Sequence, residues 1–191
     1  MIRFFFDQGH NPVNPNAGAE ANGRREQDIT YAVGVRLAAL LREDPAFEVR
    51  LSRNTPETIL GGRDNTSSLA ARVNMANEWG ADYFVSLHCN ASVNTEASGS
   101  EVYVYSVPSR ASRLGESILV GLNEATGLDN RGVRVNQSLY VLRRTRMPAV
   151  LVEMGYISNE HRVKMMTSAW APKSIARSLF NGFVRYFEQV D

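Results

Sequence analysis

Four ionisable side chains stand beside apolar segments of the chain, where an enzyme would need them. His10 follows the apolar run 2–6, His88 ends a second apolar run, Glu153 follows Pro-Ala-Val-Leu-Val, and Glu26 opens a helical segment after a polar loop. Two imidazoles and one carboxylate are a common ligand set for catalytic zinc, with the fourth position left to water. A second carboxylate can then move a proton from that water to a leaving amine.

Each of these residues also has a purely structural interpretation. His10 and His88 are equally compatible with histidines that hydrogen-bond within a loop or the core. For Glu153 a functional role is favoured, because a carboxylate that follows such an apolar run is costly to bury unpaired. The spacing alone does not choose between Glu26 and Glu20 as the second carboxylate. His161 lies in a charged helical stretch, where exposure to solvent is expected.

Several other functions find no support in the sequence. Alternation along a strand puts Cys89 on the face opposite His88, which disfavours a cysteine nucleophile and predicts a small buried side chain. No Gly-x-Ser-x-Gly or phosphate-binding Gly-Lys-Ser/Thr motif occurs. The net charge of +1 argues against nucleic-acid binding. No apolar run approaches the ~20 residues of a membrane span. The apolar run at the start of the sequence is too short for the core of a signal peptide.

Short apolar runs alternate with amphipathic stretches, which predicts one α/β domain over residues 1–191. We expect a largely parallel or mixed twisted sheet of about six strands with helices on both faces. The predicted strands are 2–6, 48–53, 82–88, 100–106, 139–142 and 149–153. The predicted helices are 27–43, 67–79 with Ser67 or Ser68 as cap, 109–125, 159–168 and 172–188, and residues 127–138 are expected to form a loop. Ligands of such sheets bind at the carboxyl ends of the strands.

Several ordered sequence blocks carry a resemblance to a known family. They are Asp7-Gln8-Gly9-His10, Arg25-Glu26-Gln27, Arg72 with Ala76-Asn77 and Ala81-Asp82, Ser86-Leu87-His88-Cys89-Asn90-Ala91, Arg131-Gly132-Val133, and the stretch from Pro148 to Asn159. In this order they resemble the zinc-dependent N-acetylmuramoyl-L-alanine amidases of bacterial cell-wall remodelling enzymes and phage endolysins. Gln8 replaces the family's proline and Cys89 a smaller residue; neither is a proposed ligand.

The resemblance implies a Zn²⁺ ion held by His10, Glu26 and His88, which selects Glu26 over Glu20. It implies Glu153 as the catalytic acid and base, and hydrolysis of the amide between N-acetylmuramic acid and L-alanine in peptidoglycan. Arg143, expected at the end of a short strand, would reach the developing oxyanion or a substrate carboxylate, or else be a solvated arginine. Asn90 would face the substrate or support the ligands.

Two rival functions remain at this stage. A zinc carboxypeptidase-like hydrolase is disfavoured because His10 and Glu26 are sixteen residues apart rather than three. A wall-binding or partner-binding module without turnover would be expected to lack one of the four residues. We expect peptidoglycan as partner, action at the cell wall after secretion, periplasmic export or phage delivery, and an activator or wall-binding module outside this chain. We also expect no helix to cover the groove at His88.

Overall fold

The computed structural model describes residues 1–168 and 170–189, and strands and helices alternate along most of this length. The strands are β1 (Ile2–Gln8), β2 (Glu20–Ala21), β3 (Arg24–Arg25), β4 (Phe47–Leu51), β5 (Tyr83–Asn90), β6 (Ser100–Val104), β7 (Asn130–Val135) and β8 (Ala149–Tyr156). The helices are α1 (Glu26–Arg42), α2 (Asn65–Trp79), α3 (Arg110–Thr126), α4 (Tyr140–Arg144), α5 (Glu160–Thr167) and α6 (Ala171–Glu188).

Six strands form one mixed sheet in the order β4-β1-β5-β8-β6-β7, and β2 and β3 form a separate short hairpin. The pairs β1–β4, β1–β5, β5–β8 and β6–β7 are parallel, whereas β6 runs antiparallel to β8. The carboxyl ends of β1, β5 and β8 therefore lie at one edge of the sheet. The predicted single α/β domain with a mixed sheet of about six strands is confirmed.

Consecutive residues of β1 bury their side chains on opposite faces of the sheet, since strand side chains alternate. Phe4 and Phe6 pack with residues of α1, α3 and α6, and Phe5 packs with residues of α2 and α4. All three phenylalanines are buried. Burial on both faces explains why β1 is an uninterrupted apolar run, and it confirms helices on both sides of the sheet.

Two of the predicted elements are wrong. The predicted strand 139–142 is the short helix α4, which buries Val141 and Leu142 against the α2 side of the sheet. An apolar run of four residues does not distinguish a strand from a helical turn. The predicted loop 127–138 contains β7, an edge strand whose exposed polar residues hide the strand pattern.

The helix boundaries agree with the predicted ones to within a few residues. The cap of α2 is Asp64, whose carboxylate accepts a hydrogen bond from the backbone N–H of Ser67, so the predicted serine cap is wrong. Ser67 belongs to the same cap from the other side, because its hydroxyl accepts from the Asp64 N–H. Within the described residues, no helix is both long and apolar enough to cross a membrane.

Candidate active site

Three neighbouring strands and one helix bring the four candidate residues to one edge of the sheet. His10 lies two residues beyond the end of β1, His88 lies near the end of β5, and Glu26 is the first residue of α1. Glu153 lies on β8 in register with His88, so both side chains leave the same face of the sheet. The strand ends and the helix start thus converge as the sequence predicted.

Glu26 lies between the two imidazoles. Its Oε2 is 3.1 Å from Nε2 of His10, and its Oε1 is 3.0 Å from Nδ1 of His88. The two rings are 4.8 Å apart between centroids and nearly perpendicular. One ligand atom from each of the three residues lies within 4.8 Å of the others. Zinc–ligand distances of ~2.0–2.2 Å place tetrahedral ligand atoms about 3.4 Å apart, so two nitrogens and one carboxylate at these spacings fit a zinc ion.

Two backbone N–H groups and two imidazoles surround the Glu26 carboxylate. The N–H of Cys89 donates to Oε1 at 2.9 Å, and the N–H of Ala19 donates to Oε2 at 3.1 Å. Burial alone would raise the pKa of Glu26, but hydrogen bonds from His10 and His88 outweigh it and lower that pKa well below its usual value. The carboxylate is therefore held in the charged form that binds a cation.

Gly9 lets the β1 end approach His88. Its N–H donates to the carbonyl of Leu87 at 3.0 Å, and its own carbonyl accepts from the Thr30 hydroxyl at 2.8 Å. A Cβ at this position would lie 2.5 Å from both the Leu87 carbonyl oxygen and Cε1 of His88. The next residue, His10, adopts φ of 69°, a left-handed conformation that is uncommon outside glycine. The short Gly-His sequence is thus what places the first imidazole.

A buried ion pair anchors the same strand end, and sequence reasoning gave it no role. Nη1 of Arg72 is 2.5 Å from Oδ1 of Asp7 and donates to the carbonyl of Gln8 at 2.7 Å. Ser86 donates to the second carboxylate oxygen at 2.7 Å. Burial opposes the charge of Asp7, but Arg72 and Ser86 lower its pKa overall. Both Asp7 and Arg72 belong to the sequence blocks that carry the family resemblance, which was the available clue.

Gln8, which departs from the family's proline, makes contacts that a proline could not. Its N–H donates to the Ser52 hydroxyl at 3.0 Å, and its side-chain oxygen accepts from the Arg53 N–H at 2.9 Å. These bonds join the end of β1 to the residues after β4. The substitution therefore fixes the strand end from its other side, without contacting His10, Glu26 or His88.

Glu153 occupies a different electrostatic environment from Glu26. It is the fifth residue of β8, which continues to Tyr156, so the predicted strand end at residue 153 is three residues too early. Within the described part of the chain, its Oε2 is buried without a hydrogen-bond partner. Burial, followed by the negative charges of Glu26 and Glu101, raises the pKa of Glu153 to about 8. A carboxyl with this pKa exchanges a proton near neutral pH.

Arg143 does not lie where the sequence placed it. It belongs to α4 rather than to a strand, and it lines a cavity with Pro148, Ala149 and Tyr105 at the beginning of β8. Glu153 is four residues further along that strand, about 13 Å at the usual rise per residue. The position disfavours contact with the reacting group, and the substrate-binding role of Arg143 stays a prediction.

Asn90 lies two residues after His88, but its side chain is already engaged. Its amide donates to Oε1 of Glu101 at 2.8 Å, and its own oxygen accepts from the Ala91 N–H at 3.0 Å. Glu101 itself is the opposite neighbour of Glu153 in the antiparallel β6–β8 pair, and sequence reasoning missed it. The alternation in Ser-Glu-Val-Tyr-Val marks a strand but gives no indication of its neighbour.

The remaining candidates lie as expected. Cys89 is buried in the core with its side chain away from the metal ligands, and burial raises the pKa of its thiol. Its backbone N–H, as described above, contacts Glu26. His161 is exposed on α5.

The helices that follow β5 in the chain pack against other helices: α3 packs against α6, and α4 against α2. The His10 and His88 side chains keep 20% and 17% of their surface exposed. Solvent thus reaches both imidazoles.

Comparison with known proteins identifies the family of this chain. Residues 5–185 match the family model of N-acetylmuramoyl-L-alanine amidases. The N-acetylmuramoyl-L-alanine amidase CwlM of Bacillus licheniformis is 36% identical over 193 residues, a match that covers 98% of this chain and 69% of CwlM.

Two solved structures share the fold over nearly all of both chains. The catalytic domain of CwlV, an N-acetylmuramoyl-L-alanine amidase from Bacillus (Paenibacillus) polymyxa var. colistinus, superposes with a TM-score of 0.83 at 29% identity, covering 98% of this chain and 99% of that domain. The CwlD amidase from Clostridioides difficile, solved in complex with the GerS lipoprotein, gives a TM-score of 0.90 at 25% identity with all of both chains covered. The chain therefore belongs to the N-acetylmuramoyl-L-alanine amidase family of hydrolases.

Proposed function

We propose that residues 1–191 form one zinc-dependent catalytic domain that hydrolyses the amide between N-acetylmuramic acid and L-alanine in peptidoglycan. The observation that carries the proposal is the convergence of His10, Glu26 and His88 beside a second, partly buried carboxylate, Glu153. His10 and His88 would hold the ion through neutral ring nitrogens and Glu26 through its anionic carboxylate. Three protein ligands leave one coordination position open, as catalytic zinc sites require.

The chemistry divides between the ion and the protein. Zn²⁺ supplies a Lewis acid for the amide carbonyl and lowers the pKa of a water molecule from ~15.7 to ~7. Glu153 takes the proton from the attacking water as its oxygen bonds to the carbonyl carbon. It then gives that proton to the nitrogen of L-alanine as the C–N bond breaks. In the metal-free protein the pKa of Glu153 is raised to about 8, and a carboxyl whose pKa lies near the working pH can both accept and return a proton.

The family supports a proposal for the substrate and the place of action. Its description names the bond between the N-acetylmuramoyl group and L-alanine. We propose that this chain acts on the same bond at the cell wall, reached by secretion, periplasmic export or phage delivery. The complex of the CwlD amidase with a lipoprotein supports a further proposal, that a separate activator or wall-binding module assists this domain.

The test uses purified cell walls and the full chain. Wild-type protein loaded with Zn²⁺ is compared with the same protein after chelation and with E153A, and new N-terminal L-alanine is measured. We expect its release by the loaded wild type only, with recovery when Zn²⁺ is returned to the chelated protein. Metal analysis of each sample shows whether activity follows bound zinc.

Other products would overturn the proposal. Release of C-terminal amino acids without new N-terminal L-alanine would identify a carboxypeptidase. Intact walls that retain the protein would identify a binding module. Full activity after the metal has been removed and shown to be absent would refute the zinc dependence and leave the amidase activity in place.

A further inference from the structure

Glu101 gathers an unusual number of donors immediately beside Glu153. Asn90 donates to its Oε1 at 2.8 Å and the Tyr103 hydroxyl donates to the same oxygen at 3.0 Å. Nε of Arg131 lies 3.2 Å and Nε of Arg134 lies 3.0 Å from Oε2. The Glu101 side chain is 4% exposed, whereas the two arginines are 37% and 48% exposed. A buried carboxylate thus holds two guanidinium groups that reach solvent.

The sheet register directs this cluster to the face that carries the candidate active site. His88, Glu153 and Glu101 form one row across β5, β8 and β6, because each is the register partner of the next. Arg134 is paired with Tyr103, two residues along β6 from Glu101 and therefore on the same face. The row ends at the exposed strand β7, which carries both arginines.

One carboxylate for two guanidiniums leaves a net positive charge at this end of the row. Arg134 uses its Nε for Glu101, and its two terminal nitrogens have no protein hydrogen bond within the described residues. Arg131 uses Nε for Glu101 and one terminal nitrogen for the Ser98 carbonyl at 3.3 Å. Guanidinium groups with free N–H pairs bind carboxylates in a two-pronged geometry. The geometry therefore fits an anionic group of the substrate.

The chemistry of peptidoglycan says which part of the substrate carries that anion. Near the scissile bond the sugar is uncharged, because the lactyl carboxyl is consumed in the amide. The second residue of the stem peptide is a D-glutamate joined through its γ-carboxyl, which leaves its α-carboxyl either free or amidated. Two strand spacings separate β8 from β7, about 10 Å, and an extended peptide covers about 3.5 Å per residue. Arginine side chains that reach back from β7 therefore meet the second or third residue.

We propose that Arg131 and Arg134, positioned by Glu101, form a subsite for the free α-carboxylate of the stem-peptide D-glutamate. The subsite rests on the proposed amidase function and adds its orientation: the peptide runs from Glu153 over β6 toward β7. It also gives the Arg131-Gly132-Val133 block a role in binding. The enzyme then prefers stem peptides whose D-glutamate is not amidated.

The test compares two soluble substrates that differ in one group. They are N-acetylmuramoyl-L-Ala-γ-D-Glu-L-Lys-amide and its counterpart with D-isoglutamine, cleaved by the zinc-loaded full chain. We expect the wild type to prefer the carboxylate substrate about tenfold or more in kcat/KM, since hydrogen bonds from a guanidinium to a carboxylate are stronger than those to a neutral amide. R134Q and R131Q should raise KM for that substrate and bring the ratio toward one, with R134K keeping part of it. R113Q, which changes an exposed arginine on α3, should keep the wild-type ratio.

Other outcomes overturn the subsite. The first is an equal kcat/KM of the wild type for the two substrates, and the second is a substrate preference that remains in R131Q and R134Q. The third is an equal loss of kcat/KM for both substrates in these variants, which would mean that the arginines only support the fold. Walls with free or amidated D-glutamate are run in parallel, so that an enzyme that needs the polymer is still tested by the same ratio. If the wild type releases no L-alanine termini from any of these substrates, the proposed amidase function itself fails.

Discussion

Glu26 is a buried and Glu153 a partly buried carboxylate at the same edge of the sheet, yet their surroundings act in opposite directions. Glu26 contacts two imidazoles and two backbone N–H groups, and its pKa is lowered. Glu153 has one oxygen without a partner in the described chain, lies beside two other carboxylates, and has its pKa raised to about 8. Burial raises the pKa of both residues, so the difference comes from their neighbours.

This difference supports the two proposed roles, a metal ligand for Glu26 and a proton carrier for Glu153. A metal ligand must stay ionised at every working pH, which requires donors that stabilise the anion. A group that accepts and returns a proton must have a pKa near the working pH. The two residues satisfy these opposite requirements because Glu26 contacts two imidazoles and two backbone N–H groups, whereas Glu153 feels the negative charges of Glu26 and Glu101.

Replacing Glu26 should have the largest effect on activity. E26Q removes the anionic member of the proposed ligand set, and we expect sub-stoichiometric zinc after dialysis and a loss of wall hydrolysis of more than about 10³-fold, because the metal's effect on water would then be lost. The measurements are metal analysis and release of N-terminal L-alanine. The matched control is E20Q, six residues earlier, whose side chain is 65% exposed. Equal losses in both variants would contradict the assignment of Glu26.

Replacing Glu153 should reduce turnover while the metal stays bound. E153Q keeps the shape of the side chain but cannot carry a proton, and general acid–base catalysis contributes about 10²–10⁴-fold. We expect a loss in that range in kcat, with zinc content equal to that of the wild type. Loss of zinc together with activity would instead make Glu153 a fourth ligand.

The same substitution should stabilise the metal-free protein at alkaline pH. In the native state Glu153 keeps its proton up to about pH 8, whereas the unfolded carboxyl loses it near 4.5. Stability therefore falls as pH rises from 4.5 to 8, since the native state binds more protons, and the cost is complete above pH 8. From the size of the shift, E153Q should raise the free energy of unfolding by roughly 2–5 kcal/mol at pH 8.5 and by little at pH 4.5.

Denaturant unfolding at the two pH values checks this result, with E116Q on the exposed face of α3 as the control. E26Q sharpens the comparison, because it should do the opposite. The pKa of Glu26 is lower in the native state than in the unfolded state, so the ionised carboxylate stabilises the native protein at pH 8.5. Removing that carboxylate should therefore destabilise the metal-free protein at this pH. Two variants that change stability in the same direction at this pH would show that the two environments do not differ as described.

The sequence indicates the residues that stand out within their own segment and misses those whose importance comes only from neighbours set by topology. His10, His88 and Glu153 are found because ionisable residues that follow apolar runs are unusual. Glu26 needs the family resemblance, since Glu20 lies in the same polar segment. Glu101 and β7 are missed because the antiparallel pairing of β6 with β8, which brings them to the site, leaves no pattern in either strand. Arg143 is misplaced for a related reason: four apolar residues fit a strand and a helical turn equally well.

The smallest expected effect tests whether Glu101 helps to separate the two carboxylates. Its negative charge is one of the causes that raise the pKa of Glu153, so E101Q should lower that pKa. Activity that needs ionised Glu153 falls as pH drops through this pKa, and the acidic limb of kcat/KM should therefore move to lower pH by a fraction of a unit. E116Q should leave the limb in place. A limb that stays fixed, or moves to higher pH, would mean that Arg131 and Arg134 already neutralise the effect of the Glu101 charge on Glu153. Burial and Glu26 alone would then set the protonation of Glu153.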